Sequence, residues 1–190
     1  MTTVLVTLLA VVIALLVVLV GGLRRARPVV DGSGADGAVA GGAHAVVAAG
    51  DRALRPEAGD VAGTDPDGAA VTVPVVGQPC SMLLVFLTST CTTCAGLWRA
   101  FASGPRGVPA EARLVVITKG DEAERRDRVR RVAPPDLTVV MSSAAWDDFD
   151  VGTAPWFVHV DGASGRIVAE GPAATWDDVV AACAAGTRAS

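Results

Sequence analysis

The chain has 190 residues, with 16 Lys and Arg against 20 Asp and Glu for a formal net charge of −4. It therefore lacks the basic footprint that a phosphate backbone requires, and four Phe, four Trp and no Tyr offer few rings for stacking bases, so nucleic acid is excluded as a partner. Setting aside the N-terminal segments taken next leaves roughly 130 residues, enough for one α/β domain with a core of its own and too few for two.

Val4 to Val20 is an apolar run broken only by Thr7, and Gly21, Gly22 and Leu23 extend it to about 20 residues, the length that crosses a bilayer as a helix. No basic residue precedes the run, its apolar core exceeds that of a cleaved signal peptide, and no small-residue cleavage site follows directly, so residues 1–23 are predicted to be a transmembrane anchor in a single-pass membrane protein. Arg24, Arg25 and Arg27 follow the span, and taken alone they place the rest of the chain in the cytoplasm. Residues 24–53 are rich in Gly, Ala and Asp without a sustained period and read as a flexible linker, in which His44 is a solvent-exposed histidine with no companion ligand.

Residues 54–190 have the texture of a folded domain. Val61 to Thr64 and Ala70 to Val75, separated by Asp65-Pro66-Asp67-Gly68, predict a β-hairpin. Met82 to Leu87 is apolar at every position, as in a central strand covered on both faces. A helix follows from near Thr92, carrying Leu97, Trp98 and Phe101 and stopped by Gly104-Pro105. Arg113 to Thr118 reads as a further buried strand. Asp121 to Ala133 is predicted to be an exposed helix whose acid-first pairs, Glu124/Arg128 among them, have i,i+4 spacing, so this charge run reads as a solvated face. Leu137 to Met141 gives a strand, Ala144 to Phe149 a short helix, Trp156 to Val160 and Arg166 to Ala169 a second hairpin, and Ala174 to Ala185 a last helix. Helices alternating with strands imply a parallel portion of sheet, and the last hairpin supplies an antiparallel one.

Cys91-Thr92-Thr93-Cys94 stands where the central strand gives way to the first helix. Unpaired N–H groups and the positive end of the macrodipole at a helix start favour a thiolate on the first sulfur, while the second lies a turn deeper. Redox chemistry is the leading reading. The competing ones are a static disulfide and half of a zinc site, although no second close pair of ligands is present and His159 stands alone in its strand.

This order of elements, with Leu84-Val85-Phe86-Leu87-Thr88-Ser89-Thr90-Cys91-Thr92-Thr93-Cys94, Val151-Gly152-Thr153-Ala154-Pro155-Trp156-Phe157-Val158 and the turn within Asp161 to Gly171, resembles the membrane-anchored TlpA-like and MauD-like thiol-disulfide oxidoreductases. The resemblance implies a thioredoxin-like α/β fold with an N-terminal β-hairpin extension, preceded by one transmembrane helix and a flexible linker. It implies that Cys91 is the attacking thiolate, Cys94 the resolving thiol, and Pro155 a cis-proline packed against them. Ala154 offers backbone hydrogen bonds to an extended client segment, and Trp156 borders the groove. No cofactor is implied beyond the redox-active Cys91–Cys94 disulfide, and no metal. The partners it implies are a protein thiol or disulfide client and a membrane or soluble electron donor or acceptor. It also sets the domain outside the cytoplasm, against the arginines, and we follow it on that point.

The sequence departs from thioredoxins themselves in having Thr90 before the first cysteine, no proline within the pair, and Val85 where they carry a buried acid, so that release of a mixed disulfide falls to water or to another carboxylate. Cys80 and Cys183 are either a second disulfide or two small buried hydrophobes. The alternative to an oxidoreductase is a thioredoxin-like binding or assembly module whose cysteine pair is structural.

Overall fold

A computed structural model of the chain describes residues 58–108 and 112–189. The expected anchor, the linker and the start of the expected domain at residue 54 lie outside the described residues. Among those that are described, no helix is long and apolar enough to cross a membrane.

Seven strands, β1 (Val61–Thr64), β2 (Ala70–Val73), β3 (Met82–Phe86), β4 (Arg113–Thr118), β5 (Thr138–Met141), β6 (Trp156–Val160) and β7 (Ile167–Pro172), form one sheet in the order β2-β1-β5-β4-β3-β6-β7. Strands β3, β4 and β5 are mutually parallel, and β6, β7, β1 and β2 are added antiparallel at the two sides. The helices are α1 (Cys94–Ala102), α2 (Arg126–Val132), α3 (Ser143–Asp148) and α4 (Trp176–Ala189).

Every residue of β3 is buried, because the strand is paired on both edges and covered on both faces. Its side chains alternate between two cores. Leu83 and Val85, with Phe157, meet Leu97, Trp98 and Phe101 of α1, Val129 of α2, and Val179, Ala182 and Cys183 of α4. Met82, Leu84 and Phe86, with Val158 and Val160, meet Ala145 and Trp146 of α3 and Phe149. Each fully buried Leu or Phe in these layers contributes about 1.5–3 kcal/mol by leaving water. Edge-to-face rings close each core, Phe86 against Trp146 at 5.5 Å and Phe101 against Trp176 at 5.3 Å.

The last helix begins two residues later than the sequence suggests, because Thr175 and Asp178 form a reciprocal cap: the Thr175 hydroxyl accepts the Asp178 N–H at 3.3 Å and the Asp178 carboxylate accepts the Thr175 N–H at 2.9 Å. A larger difference lies between β4 and β5. The helix expected over Asp121 to Ala133 runs only from Arg126 to Val132, and residues before it form a turn in which the Ala123 and Glu124 N–H groups both donate to the Gly120 carbonyl. Side-chain competition accounts for this. Asp121 pairs with Arg126, Glu122 accepts from Ser143, and Arg125 binds Asp127, so of the expected i,i+4 pairs Arg131–Asp127 at 3.5 Å is the one that forms among the described residues. Glu124 points inward and is 7% exposed, which corrects its assignment to a solvated face.

His159 pairs with Leu83 and Ala169 in register, is buried, and has no hydrogen-bond partner on either ring nitrogen. Burial depresses its pKa below the ordinary 6.5, opposed by the charge of Asp161, so the fold favours the neutral ring. Between the lowered folded value and about 6.5 the unfolded chain binds more protons, and stability is therefore complete above that window and falls as pH drops through it. The unfolding constant is expected to rise by at most about tenfold per pH unit there, and His159→Leu is expected to flatten the acid limb of urea melts taken from pH 8 to pH 5. An unchanged limb in the variant assigns the loss to other groups.

Candidate functional site

Strand β3 ends at Phe86, and the Leu87 N–H still donates to the Ile117 carbonyl at 3.0 Å, so the chain leaves the sheet at a fixed point. Thr88, Ser89 and Thr90 then lead to Cys91, and α1 starts at Cys94 with buried residues at 94, 97, 98 and 101, the spacing of one helix face. That face sets the depth of the two sulfurs. Cys94 is fully buried in the core beneath α1, whereas Cys91 is half-buried in the turn before it.

The turn is held by its own backbone. The Cys94 N–H donates to the Cys91 sulfur at 3.3 Å, the Cys91 N–H donates to the Thr88 hydroxyl at 3.2 Å, and the indole N–H of Trp98 donates to the Thr88 carbonyl at 3.2 Å. Burial opposes ionisation of Cys91, but hydrogen bonds from the Cys94 thiol and N–H and from the Thr93 N–H and hydroxyl together carry its pKa below the ordinary thiol value of 9.0. Burial pushes the Cys94 thiol the other way, up to about 12, reinforced by its donation to Cys91. One thiol is prepared to ionise and reach solvent, and its neighbour is kept protonated within the core.

Antiparallel pairing of β6 with β3 sets Trp156 opposite Phe86, so the loop preceding β6 arrives at the same end of the sheet as the cysteines. The Ala154–Pro155 peptide bond is cis, as the resemblance implies, and the Ala154 carbonyl oxygen lies 4.0 Å from the Cys91 sulfur. Ala154 and Trp156 are partly exposed, and Pro155 is buried. Cys91, Cys94, Ala154, Pro155 and Trp156 thus gather at one edge of the sheet.

Cys80 and Cys183 are not brought together. Cys80 borders the core on the α3 side of the sheet and Cys183 lies within the core on the α4 side, so the sheet itself separates them. All four cysteines are free thiols, and Cys183 is a buried apolar residue whose pKa burial pushes up to about 12. In this structure Cys80 and Cys183 lie on opposite faces of the sheet and are not bridged.

Two residues at this edge were not expected. Thr88 braces the turn from two sides, accepting the Cys91 N–H on its hydroxyl and the Trp98 indole N–H on its carbonyl. Glu124, from the loop after β4, accepts both the Ser89 N–H, at 3.1 Å, and the Ser89 hydroxyl on one carboxyl oxygen. The one sequence signal for Glu124 was the missing acid at Val85; its spacing to Arg128 pointed to solvent.

The architecture is shared with solved structures. A thioredoxin-like protein from Aeropyrum pernix superposes with a TM-score of 0.52 at 15% identity, covering 69% of this chain and 89% of that one. The domain has the thioredoxin fold. StoA from Bacillus subtilis matches this thioredoxin-like domain with a TM-score of 0.50 at 16% identity, over 67% of this chain and 98% of its own. A secreted Mycobacterium tuberculosis disulfide oxidoreductase homologous to E. coli DsbE matches it with a TM-score of 0.50 at 19% identity, over 66% and 95%. No protein-family model and no curated protein matches the chain.

Proposed function

We propose that the protein is a membrane-tethered thiol-disulfide oxidoreductase that exchanges electrons with protein cysteines through Cys91 and Cys94. The observation that carries this reading is the asymmetry of the pair: a half-buried sulfur that accepts N–H donation and has a lowered pKa, next to a fully buried one raised to about 12. A structural disulfide needs no such difference. An exchange catalyst does, because one thiol must attack while the other waits.

The Cys91 thiolate attacks one sulfur of a client disulfide, forming a mixed disulfide and expelling the client's other sulfur as a thiolate, which takes a proton from water. Cys94 then loses its proton and attacks the Cys91 sulfur. This closes the Cys91–Cys94 disulfide and releases the second client thiolate, so two electrons pass from the pair to the client. Run in reverse, the same steps oxidise a client dithiol. Ala154, beside the Cys91 sulfur, offers its backbone to an extended client segment, and Trp156 borders that groove. The chemistry requires no cofactor beyond the disulfide itself, and an electron donor or acceptor, membrane-bound or soluble, resets the pair. Residues 1–23 supply the tether, with the domain outside the cytoplasm, where a disulfide carrier has clients.

The full chain, solubilised in detergent and equilibrated in glutathione buffers, is expected to show a reversible two-electron transition at Cys91 and Cys94, read by peptide-resolved thiol alkylation. A midpoint near about −270 mV marks a reductant and one near about −120 mV an oxidant. If neither cysteine titrates reversibly, the pair is structural and the domain is a binding or assembly module.

A further inference from the structure

Thr88 stands three residues before the attacking cysteine, and the exchange chemistry above gives it no part. The peptide unit joining Thr88 to Ser89 is held at both of its polar atoms: the Trp98 indole N–H donates to the Thr88 carbonyl at 3.2 Å, and the Ser89 N–H donates to the Glu124 carboxylate at 3.1 Å. The Ser89 hydroxyl donates to the same carboxyl oxygen. With that peptide plane fixed, the Thr88 hydroxyl lies within reach of the Cys91 N–H and accepts it at 3.2 Å, a side-chain acceptor closing a turn as a helix cap does. Cys91 is held at its other end by α1, since its carbonyl accepts the Ala95 N–H at 3.2 Å. With both backbone groups tied, the side chain sets its sulfur 3.3 Å from the Cys94 N–H and 4.0 Å from the Ala154 carbonyl oxygen.

We propose that Thr88 is a positioning residue for attack: by holding the Cys91 N–H, its hydroxyl keeps the Cys91 sulfur on the Cys94 N–H and beside the Ala154 backbone. This inference rests on the thiol-disulfide reading above. Loss of the hydroxyl leaves the Cys91 backbone tied to α1 by its carbonyl and free to pivot there, and a sulfur that swings off the Cys94 N–H loses a donor that favours its thiolate. Valine has the shape of threonine without the acceptor, so Thr88→Val removes the bond and keeps the bulk, whereas Thr88→Ser keeps the acceptor.

Alkylation of the reduced full chain in detergent with iodoacetamide, resolved by peptide mass from pH 5 to pH 10, reads the attacking sulfur directly, because the Cys91 thiolate displaces iodide and forms a thioether. Thr88→Val is expected to raise the midpoint of the Cys91 profile and to slow its alkylation at pH 7 about fivefold, the scale of one hydrogen bond, with the limiting rate at high pH unchanged. Thr88→Ser is expected to return the rate to within about twofold of the parent. The titratable groups at this edge are Cys94, at about 12 above the range measured, and Glu124, which Glu124→Gln replaces with an acceptor that does not titrate. Buried Cys183 stays unmodified while the fold holds, and where Thr88→Val exposes it, Thr88→Ala decides the matter. A Cys91 profile unmoved in Thr88→Val, or in Thr88→Ala where that is the variant available, overturns the proposal. So does a profile moved as far by Thr88→Ser or by Glu124→Gln as by Thr88→Val, because control then lies with packing or with charge and not with the Thr88 acceptor. A parent Cys91 that titrates no lower than the ordinary 9.0 overturns the exchange reading itself.

Discussion

Cys91→Ser is expected to eliminate insulin disulfide exchange, a loss of at least about a thousandfold, the scale at which removal of an attacking nucleophile registers. The serine hydroxyl does not ionise near neutral pH, and the hydrogen bonds that lower the Cys91 pKa have no comparable anion to favour. Cys94→Ser is expected to fail differently. Its Cys91 still attacks, so the client accumulates as a covalent mixed disulfide, visible as a mass shift under non-reducing conditions and reversed by added dithiol. The contrast between the two variants is more informative than either loss alone. Exchange that survives Cys91→Ser removes that residue from the nucleophile role, and a Cys94→Ser protein that turns over freely without trapping client removes Cys94 from resolution.

The elements that sequence alone located correctly are those whose pattern is enforced by the sheet. Met82 to Phe86 is apolar at each position because β3 is paired on both edges and covered on both faces, and that burial leaves no other arrangement for five consecutive large apolar residues. The cysteine pair was legible for a related reason, since it stands at the point where strand periodicity gives way to helical periodicity. Glu124 was not legible. Its i,i+4 spacing to Arg128 fits an exposed helix, and only the three-dimensional path of the Gly120 turn, which carries the residue across to Ser89, reveals a different partner. The relation of Cys80 to Cys183 was equally closed to the sequence, because the faces of the sheet on which two distant cysteines fall depend on the register of β3 and the side taken by α4. Thr88 lies between these cases. Its nearness to the cysteines was evident, but its bonds to the Cys91 N–H and to the Trp98 indole form only through the path the loop takes into α1.

Trp98→Ala is expected to be the most destabilising single change at the site, costing about 3–5 kcal/mol, the range for loss of a buried tryptophan. The indole is 4% exposed and packs in the core between α1 and the sheet, so its removal leaves a cavity that β3, paired on both edges, cannot collapse to fill. The same side chain anchors Thr88 through its N–H, so Trp98→Phe isolates the polar part: most of the bulk remains, and the lost bond to the Thr88 carbonyl is expected to cost about 1 kcal/mol. Urea melts of the two variants separate packing from hydrogen bonding. A Trp98→Ala cost below about 1 kcal/mol rules out a close-packed α1 at this position, since a close-packed core does not absorb such a void.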